Sequence, residues 1–236
     1  MGSTRRRRRG RAILALLALV AAAGVTLGAG MGGAAPERAP APRPAASELR
    51  STEPDRERPR IEWRRSRAIG LPHAGRLERG VKLPAGGSAY FTWDPIQRES
   101  PNRDWRRWGT DRLVRTTVRV VRAFAAAHPR APRIGIGDLS RPRGGDFGPR
   151  YGLPGHASHQ NGLDVDVYYP RLDRRKRPPE AAEQVDLRLA QDLVDRFVRA
   201  GAEKVLVGPN TPFDGPSDVV VPYPNHDNHL HLRLPG

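Results

Sequence analysis

The sequence predicts an α+β domain, a small antiparallel sheet flanked by helices. Three observations carry that expectation. Two stretches, residues 110–127 and 186–200, repeat apolar residues at helical spacing. Several short segments alternate apolar and polar residues as strands do. The two kinds of element mix without a regular βαβ rhythm, which disfavours a parallel sheet.

In chain order, Arg5 to Arg9 and Arg11 form a cationic block, followed by an uncharged run from Ala12 to Pro36. Its first half, AILALLALVAAA, is strongly apolar, and its second half is Gly-rich. This is the order of a secretory signal, with Gly32 and Ala34 as small residues for cleavage before Pro36. The run is also long enough to remain as a membrane anchor. Either reading of residues 1–35 keeps the arginines inside and exports the rest, to the periplasm or cell envelope. A buried core helix fits poorly, because the run has no polar face. Residues 36–60 are rich in Pro, Ala and alternating charge, with one Leu and no aromatic residue. Such a segment cannot bury enough apolar area to offset its ordering entropy, so it reads as a disordered linker.

Residues 61–236 form the expected folded domain. Val81–Pro84 and Ser88–Trp93 flank Ala-Gly-Gly and read as a hairpin. The first helix has Leu113, Val114, Thr117, Val118, Val121, Phe124 and Ala125 on one face, Thr110 as its cap and Pro129 as its stop. Arg133 to Gly137 reads as a strand, and a Gly-rich loop runs from Asp138 to about Gly155. Leu163 to Tyr169 alternates strictly. The second helix has Leu187, Ala190, Leu193, Val194, Phe197 and Val198 on one face, with Gly201 at its C-terminal end. Residues 203–208, 218–221 and 229–234 read as further strands.

The chain has 236 residues, a formal charge of +16, seven histidines and no cysteine. Without cysteine there is no disulfide, thiolate ligand, cysteine nucleophile or lipid-modified cysteine. Any metal site must use His and carboxylates. The charge invites a nucleic-acid reading, but no nucleic-acid-binding module is present. Six of the cations sit in the leader, and 38 of the 41 are Arg. The run Arg174-Arg-Lys-Arg reads as a solvated loop tip or a contact to an anionic wall polymer.

Five of the seven histidines fall in two short clusters. His156 and His159 lie in Gly155-His-Ala-Ser-His-Gln-Asn-Gly-Leu-Asp-Val-Asp. His226, His229 and His231 lie in Asn225-His-Asp-Asn-His-Leu-His-Leu. Strand alternation puts Asp164 and Asp166 on one face and Leu163, Val165 and Val167 on the other. Likewise His229, His231 and Arg233 share a face opposite Leu230, Leu232 and Leu234. If the two polar faces converge, His and Asp side chains surround one point. Zinc takes such ligands, and a catalytic zinc site uses three of them. This places a zinc site on the sheet face, with Asp164 and Asp166 equally eligible. A lone strand His or exposed Asp is usually structural, and His73 and His128 keep that ordinary reading. His128 suits a helix C-terminus.

Gly137-Asp-Leu-Ser-Arg-Pro-Arg-Gly-Gly, the first histidine cluster and His226-x-x-His229-x-His231 together resemble the penicillin-insensitive murein endopeptidases. These belong with the lysostaphin-type and D-alanyl-D-alanine metallopeptidases and the hedgehog-like domains. The resemblance covers roughly residues 80–236. It implies an α+β fold, one zinc ion, and hydrolysis of peptidoglycan stem peptides. Carried over residue by residue, it makes His159, Asp166 and His231 the zinc ligands and His229 the candidate base. His226 and His156 stand beside the site, available to an oxyanion, and Asp164 orients a ligand. Ser140 and Arg141 are either substrate contacts or plain loop residues. The stretch Pro170–Pro179 departs from the family pattern: it is basic and without His, which leaves a second ion without ligands there. The same fold also serves D,D-carboxypeptidases and non-catalytic wall-binding domains. No GxSxG elbow supports a serine nucleophile.

Overall fold

The fold is that of a computed structural model that describes residues 60–151 and 155–236. The leader and nearly all of the linker expected from the sequence lie outside these residues. Among the described residues, no helix is long and apolar enough to cross a membrane.

The elements follow in chain order. Strands β1 (Arg67–Leu71) and β2 (Ala74–Glu78) are followed by β3 (Val81–Lys82), β4 (Tyr90–Thr92) and β5 (Trp108–Gly109). Then come α1 (Asp111–Ala127), β6 (Ile134–Ile136), β7 (Asp164–Tyr168) and α2 (Leu187–Arg199). Strands β8 (Lys204–Val207), β9 (Val220–Pro222) and β10 (His229–Arg233) complete the chain.

Six strands form the main sheet in the order β4-β6-β7-β10-β8-β9. Its centre is antiparallel: β6 with β7, β7 with β10, and β10 with β8. Its edges are parallel, β4 with β6 and β8 with β9, so the sheet is mixed rather than wholly antiparallel. The α+β class holds, with helices interrupting the strand order.

The hairpin expected over 81–93 is only partly formed. A tight turn closes around Gly87, whose N–H donates to Tyr90 O at 3.0 Å. Val81–Lys82, however, leaves it to pair antiparallel with Trp108–Gly109. Tyr90–Thr92 instead runs parallel to Ile134–Ile136. Both arms thus find distant partners, which a local Gly turn does not encode. Among the described residues a full hairpin is formed by β1–β2, paired from Arg67↔Glu78 to Leu71↔Ala74.

Both helices match the sequence closely. Thr110 Oγ1 accepts from Leu113 N at 3.2 Å and caps α1. Asp186 caps α2 by accepting from Leu189 N at 3.1 Å. Gly201, at φ +86°, sits just past the end of α2 in the conformation glycine adopts without strain. One residue departs from the expected face. Leu187, the first helical residue of α2, is exposed, because the buried apolar stripe begins two and three residues later at Leu189 and Ala190.

The apolar faces of α1 and α2 join Val165, Val167, Leu230, Leu232 and Leu234 in one core. The helices therefore cover one face of the sheet only. Each fully buried Leu contributes about 2 kcal/mol of transfer free energy. A one-residue slip of β10 would exchange these leucines for His229, His231 and Arg233, so burial locks the register. The other face is left to the polar residues.

Candidate active site

The register of β7 with β10 builds the site. It sets His231 opposite Asp166, Arg233 opposite Asp164 and His229 opposite Tyr168. The loop before β7 brings His156 and His159 over the same face. Gly137 permits the close approach of the strand below: a Cβ there would stand 3.2 Å from Asp166 Cβ.

His159 is fully buried and holds φ +67°, a left-handed conformation that strains a residue with a Cβ by about 1–3 kcal/mol. The surrounding bonds hold it there. Its backbone N–H donates to Asp164 Oδ2 at 3.0 Å, and its Nδ1–H donates to Leu139 O at 2.5 Å. The lone pair is thereby left on Nε2, which lies 3.3 Å from Asp166 Oδ1 and 3.2 Å from His231 Nδ1. His231 Nδ1 is in turn 3.1 Å from Asp166 Oδ1. These three atoms form a nearly equilateral triangle. A zinc ion with ligands at 2.0–2.1 Å in tetrahedral geometry requires ligand atoms about 3.3 Å apart. The donor set and its spacing therefore fit such an ion. A second group, His156, His159 and Asp166, has its ligand atoms within 4.8 Å of one another and is wider.

Protonation follows from the surroundings. Burial lowers the pKa of His159 and keeps it neutral. Burial also opposes charge on His231, but hydrogen bonds to Asp164 and Asp166 outweigh it and push the pKa up to about 9. His231 Nε2 faces Asp164 Oδ1 at 3.1 Å, and Arg233 Nε donates to the same oxygen at 2.7 Å. Asp166 is held well below the usual carboxylate range: the histidines around it, His159 first, outweigh the burial that would raise it.

His229 is neutral, its pKa pulled down to about 4, chiefly by burial. Its Nδ1–H donates to Asn228 Oδ1 at 2.6 Å. Nε2 therefore carries the lone pair and faces Asp166 Oδ1 at 3.9 Å. His226 is also lowered by burial, and its Nδ1–H donates to Pro224 O at 2.7 Å. Its ring centroid lies 4.8 Å from that of His229 and 6.1 Å from that of His231. His156 is the opposite case. Burial disfavours its charge, yet a 2.7 Å bond to Asp138 and the carboxylate of Asp166 raise its pKa. Its Nδ1 points toward Asp166 Oδ2 at 3.8 Å.

Every candidate the sequence offered is thus gathered on one side of the sheet. The residues it missed are those that hold them. Asp138 is fully buried and accepts from Arg106 Nε at 2.6 Å, Arg106 Nη2 at 2.5 Å, Asn102 Nδ2 at 2.9 Å and His156. Arg106 lies between the rings of Trp105 and Phe147, its guanidinium carbon 4.8 and 4.9 Å from their centroids. Asn228 holds His229 in the same way. A lone Asp in a Gly-rich loop, or an Arg among thirty-seven others, carries no local sign of such a contact. Ser140 is fully buried, its backbone bridged to Trp108, which matches the loop role. Arg141 stacks on Tyr151 and donates to Asp146 O at 2.9 Å. His73 is exposed, and His128 Nε2 pairs with Asp192 at 2.8 Å beside the end of α1.

Asp138 also predicts a measurable stability effect. Burial would raise its carboxyl, but donors from Arg106 and His156 outweigh that and hold it at about 2. A folded pKa below the unfolded one contributes stability that is complete above the unfolded value. It is lost as pH falls through the folded value. Asp138 accordingly contributes about 2 kcal/mol above pH ~4, lost between pH ~4 and ~2. In urea melts, Asp138→Asn should flatten that acid limb. At neutral pH it should cost about 3–5 kcal/mol, because Arg106 is left buried and unpaired.

The fold and site define a class: an α+β protein whose sheet presents a buried His/Asp group able to hold a metal ion. The particular family follows from comparison. The family model described as penicillin-insensitive murein endopeptidase matches residues 68–205, more than half of the chain, and the chain belongs to that family. It is thus a peptidase that cleaves murein, with peptidoglycan as its substrate and the cell envelope as its setting. The matched residues include His156, His159 and Asp166 and end before His226, His229 and His231. The second cluster is tied to the first by strand register instead. No curated protein matches the chain.

Proposed function

We propose that this chain is a zinc-dependent endopeptidase that hydrolyses peptide cross-links of peptidoglycan. The observation that carries the reading is the triangle of His159 Nε2, Asp166 Oδ1 and His231 Nδ1, with edges of 3.1–3.3 Å. We assign these three as the ligands of one zinc ion. When bound, zinc polarises the scissile carbonyl and lowers the pKa of water toward ~7. Asp164 holds His231 from behind, and Leu139 O does the same for His159, which sets the tautomer each ligand needs.

His229 acts as general base. Its proton sits on Nδ1, committed to Asn228, so Nε2 takes the proton of the attacking water and later returns one to the leaving amine. His156, its pKa raised by Asp138, faces the developing oxyanion as a hydrogen-bond donor. His226 is neutral with its N–H committed to Pro224 O, so it shapes the cleft beside His229. Residues 1–35 serve as export leader or anchor, 36–60 as tether and 61–236 as the catalytic domain.

The test is digestion of purified peptidoglycan by the full-length protein, with muropeptide products weighed by mass spectrometry. Cross-linked dimers should become monomers. A chelator should abolish this, and zinc should restore it. Full activity after complete removal of metal would sink the assignment, and release of D-alanine alone would make the protein a carboxypeptidase.

A further inference from the structure

Beside the candidate site lies a cavity of ≈370 Å³ that the chemistry above does not use. Its walls include Trp93, Arg98, Tyr168, Arg177, Glu180 and Asn228. Two of these belong to the site's border. Tyr168 is the register partner of His229, and Asn228 accepts the His229 Nδ1–H. The cavity therefore opens within one residue of the proposed base.

Its chemistry is cationic. Arg98 Nη2 donates to Glu180 Oε1 at 2.9 Å. Arg177 Nη1 lies 3.9 Å from the same oxygen, too far for a hydrogen bond. Arg177 Nε is buried and has no hydrogen-bond partner among the described residues. One carboxylate thus faces two guanidinium groups, and the fork of Arg177 is unfilled. Arg177 still reaches solvent, its side chain 40% exposed.

The basic stretch that carries Arg177 is a braced loop and not merely a solvated tip. Arg171 is buried and donates to Pro178 O at 3.1 Å and to Gln184 Oε1 at 2.5 Å. It also donates to Asp173 at 2.7 and 2.6 Å. Pro178 and Pro179 are buried immediately after Arg177. The guanidinium is presented by a fixed backbone, which lowers the entropy lost when a ligand binds.

We propose that this cavity is a substrate subsite that recognises a free carboxylate of the peptide next to the scissile bond. Arg177 is its main anchor and Arg98 its second. Glu180 is the internal counter-ion that the substrate carboxylate displaces. A planar guanidinium with an open edge takes a carboxylate bidentately, which a lysine would not reproduce. The proposal rests on the reading of the neighbouring site as a peptide hydrolase.

The experiment compares two cross-linked muropeptide dimers, one with a free carboxylate beside the scissile bond and one with that group amidated. With the full-length, metal-loaded protein, Arg177→Ala should raise KM for the carboxylate dimer roughly 10–100-fold and leave its kcat nearly unchanged. The amidated dimer should be cleaved equally well by both proteins. Arg177→Lys should recover part of the loss, and Arg98→Ala should move KM in the same direction. Equal losses on both dimers, or no preference in the wild type, would overturn the subsite.

Calorimetry on the metal-stripped wild-type protein separates the two ideas. Preferential binding of the carboxylate dimer without any hydrolysis by the loaded protein keeps the cavity and overturns the peptidase reading. Hydrolysis without preferential binding overturns the cavity alone. Neither binding nor hydrolysis overturns both.

Discussion

Alanine in place of Asp166 should strip the protein of metal and reduce murein hydrolysis to background. Asp166 is the hub of the site: Oδ1 lies within 3.3 Å of both His159 Nε2 and His231 Nδ1 and 3.9 Å from His229 Nε2. On the proposed assignment its loss removes one of three ligands and the only anionic one, so two neutral imidazoles would remain to hold a divalent ion. The fold should survive, because Asp166 points away from the core that Val165 and Val167 fill. Metal content by elemental analysis, with circular dichroism as the control for folding, checks this. Stoichiometric zinc retained by a folded Asp166→Ala protein would remove Asp166 from the ligand set.

His229→Ala should behave differently: zinc retained, KM little changed, and kcat reduced by ~10²–10⁴, the range for loss of a general base. His229 contributes no edge to the ligand triangle, which is why metal binding should be indifferent to it. Its neutral state and its Nδ1–H bond to Asn228 put the lone pair where a proton must be taken up. Steady-state kinetics on a purified muropeptide dimer, paired with metal analysis of the same sample, distinguish the two variants. Unchanged turnover in His229→Ala would transfer the base role to another group.

Much of this was legible before any coordinates. The cap at Thr110 and the stripes of α1 and α2 depend on residues within one or two turns of each other. So do the apolar and polar faces of β7 and β10, because strand alternation has a period of two. The hairpin expected at 81–93 was misplaced for the complementary reason. Val81–Lys82 finds its partner at Trp108–Gly109, and no local pattern announces a pairing at that distance.

The sequence by itself therefore determined which strand faces are polar, that any metal site must use His and carboxylates, and that five of the seven histidines fall in two clusters. Strand register decided that Asp166, rather than Asp164, stands opposite His231, a contact across 65 residues of chain. Tertiary contacts decided the tautomer of His159 through Leu139 O, the raised pKa of His156 through Asp138, and the placement of Arg177 in a cavity that Asn228 also lines. Periodicity is a property of neighbours in the chain, whereas protonation and ligand geometry depend on what burial brings within 3–4 Å from elsewhere.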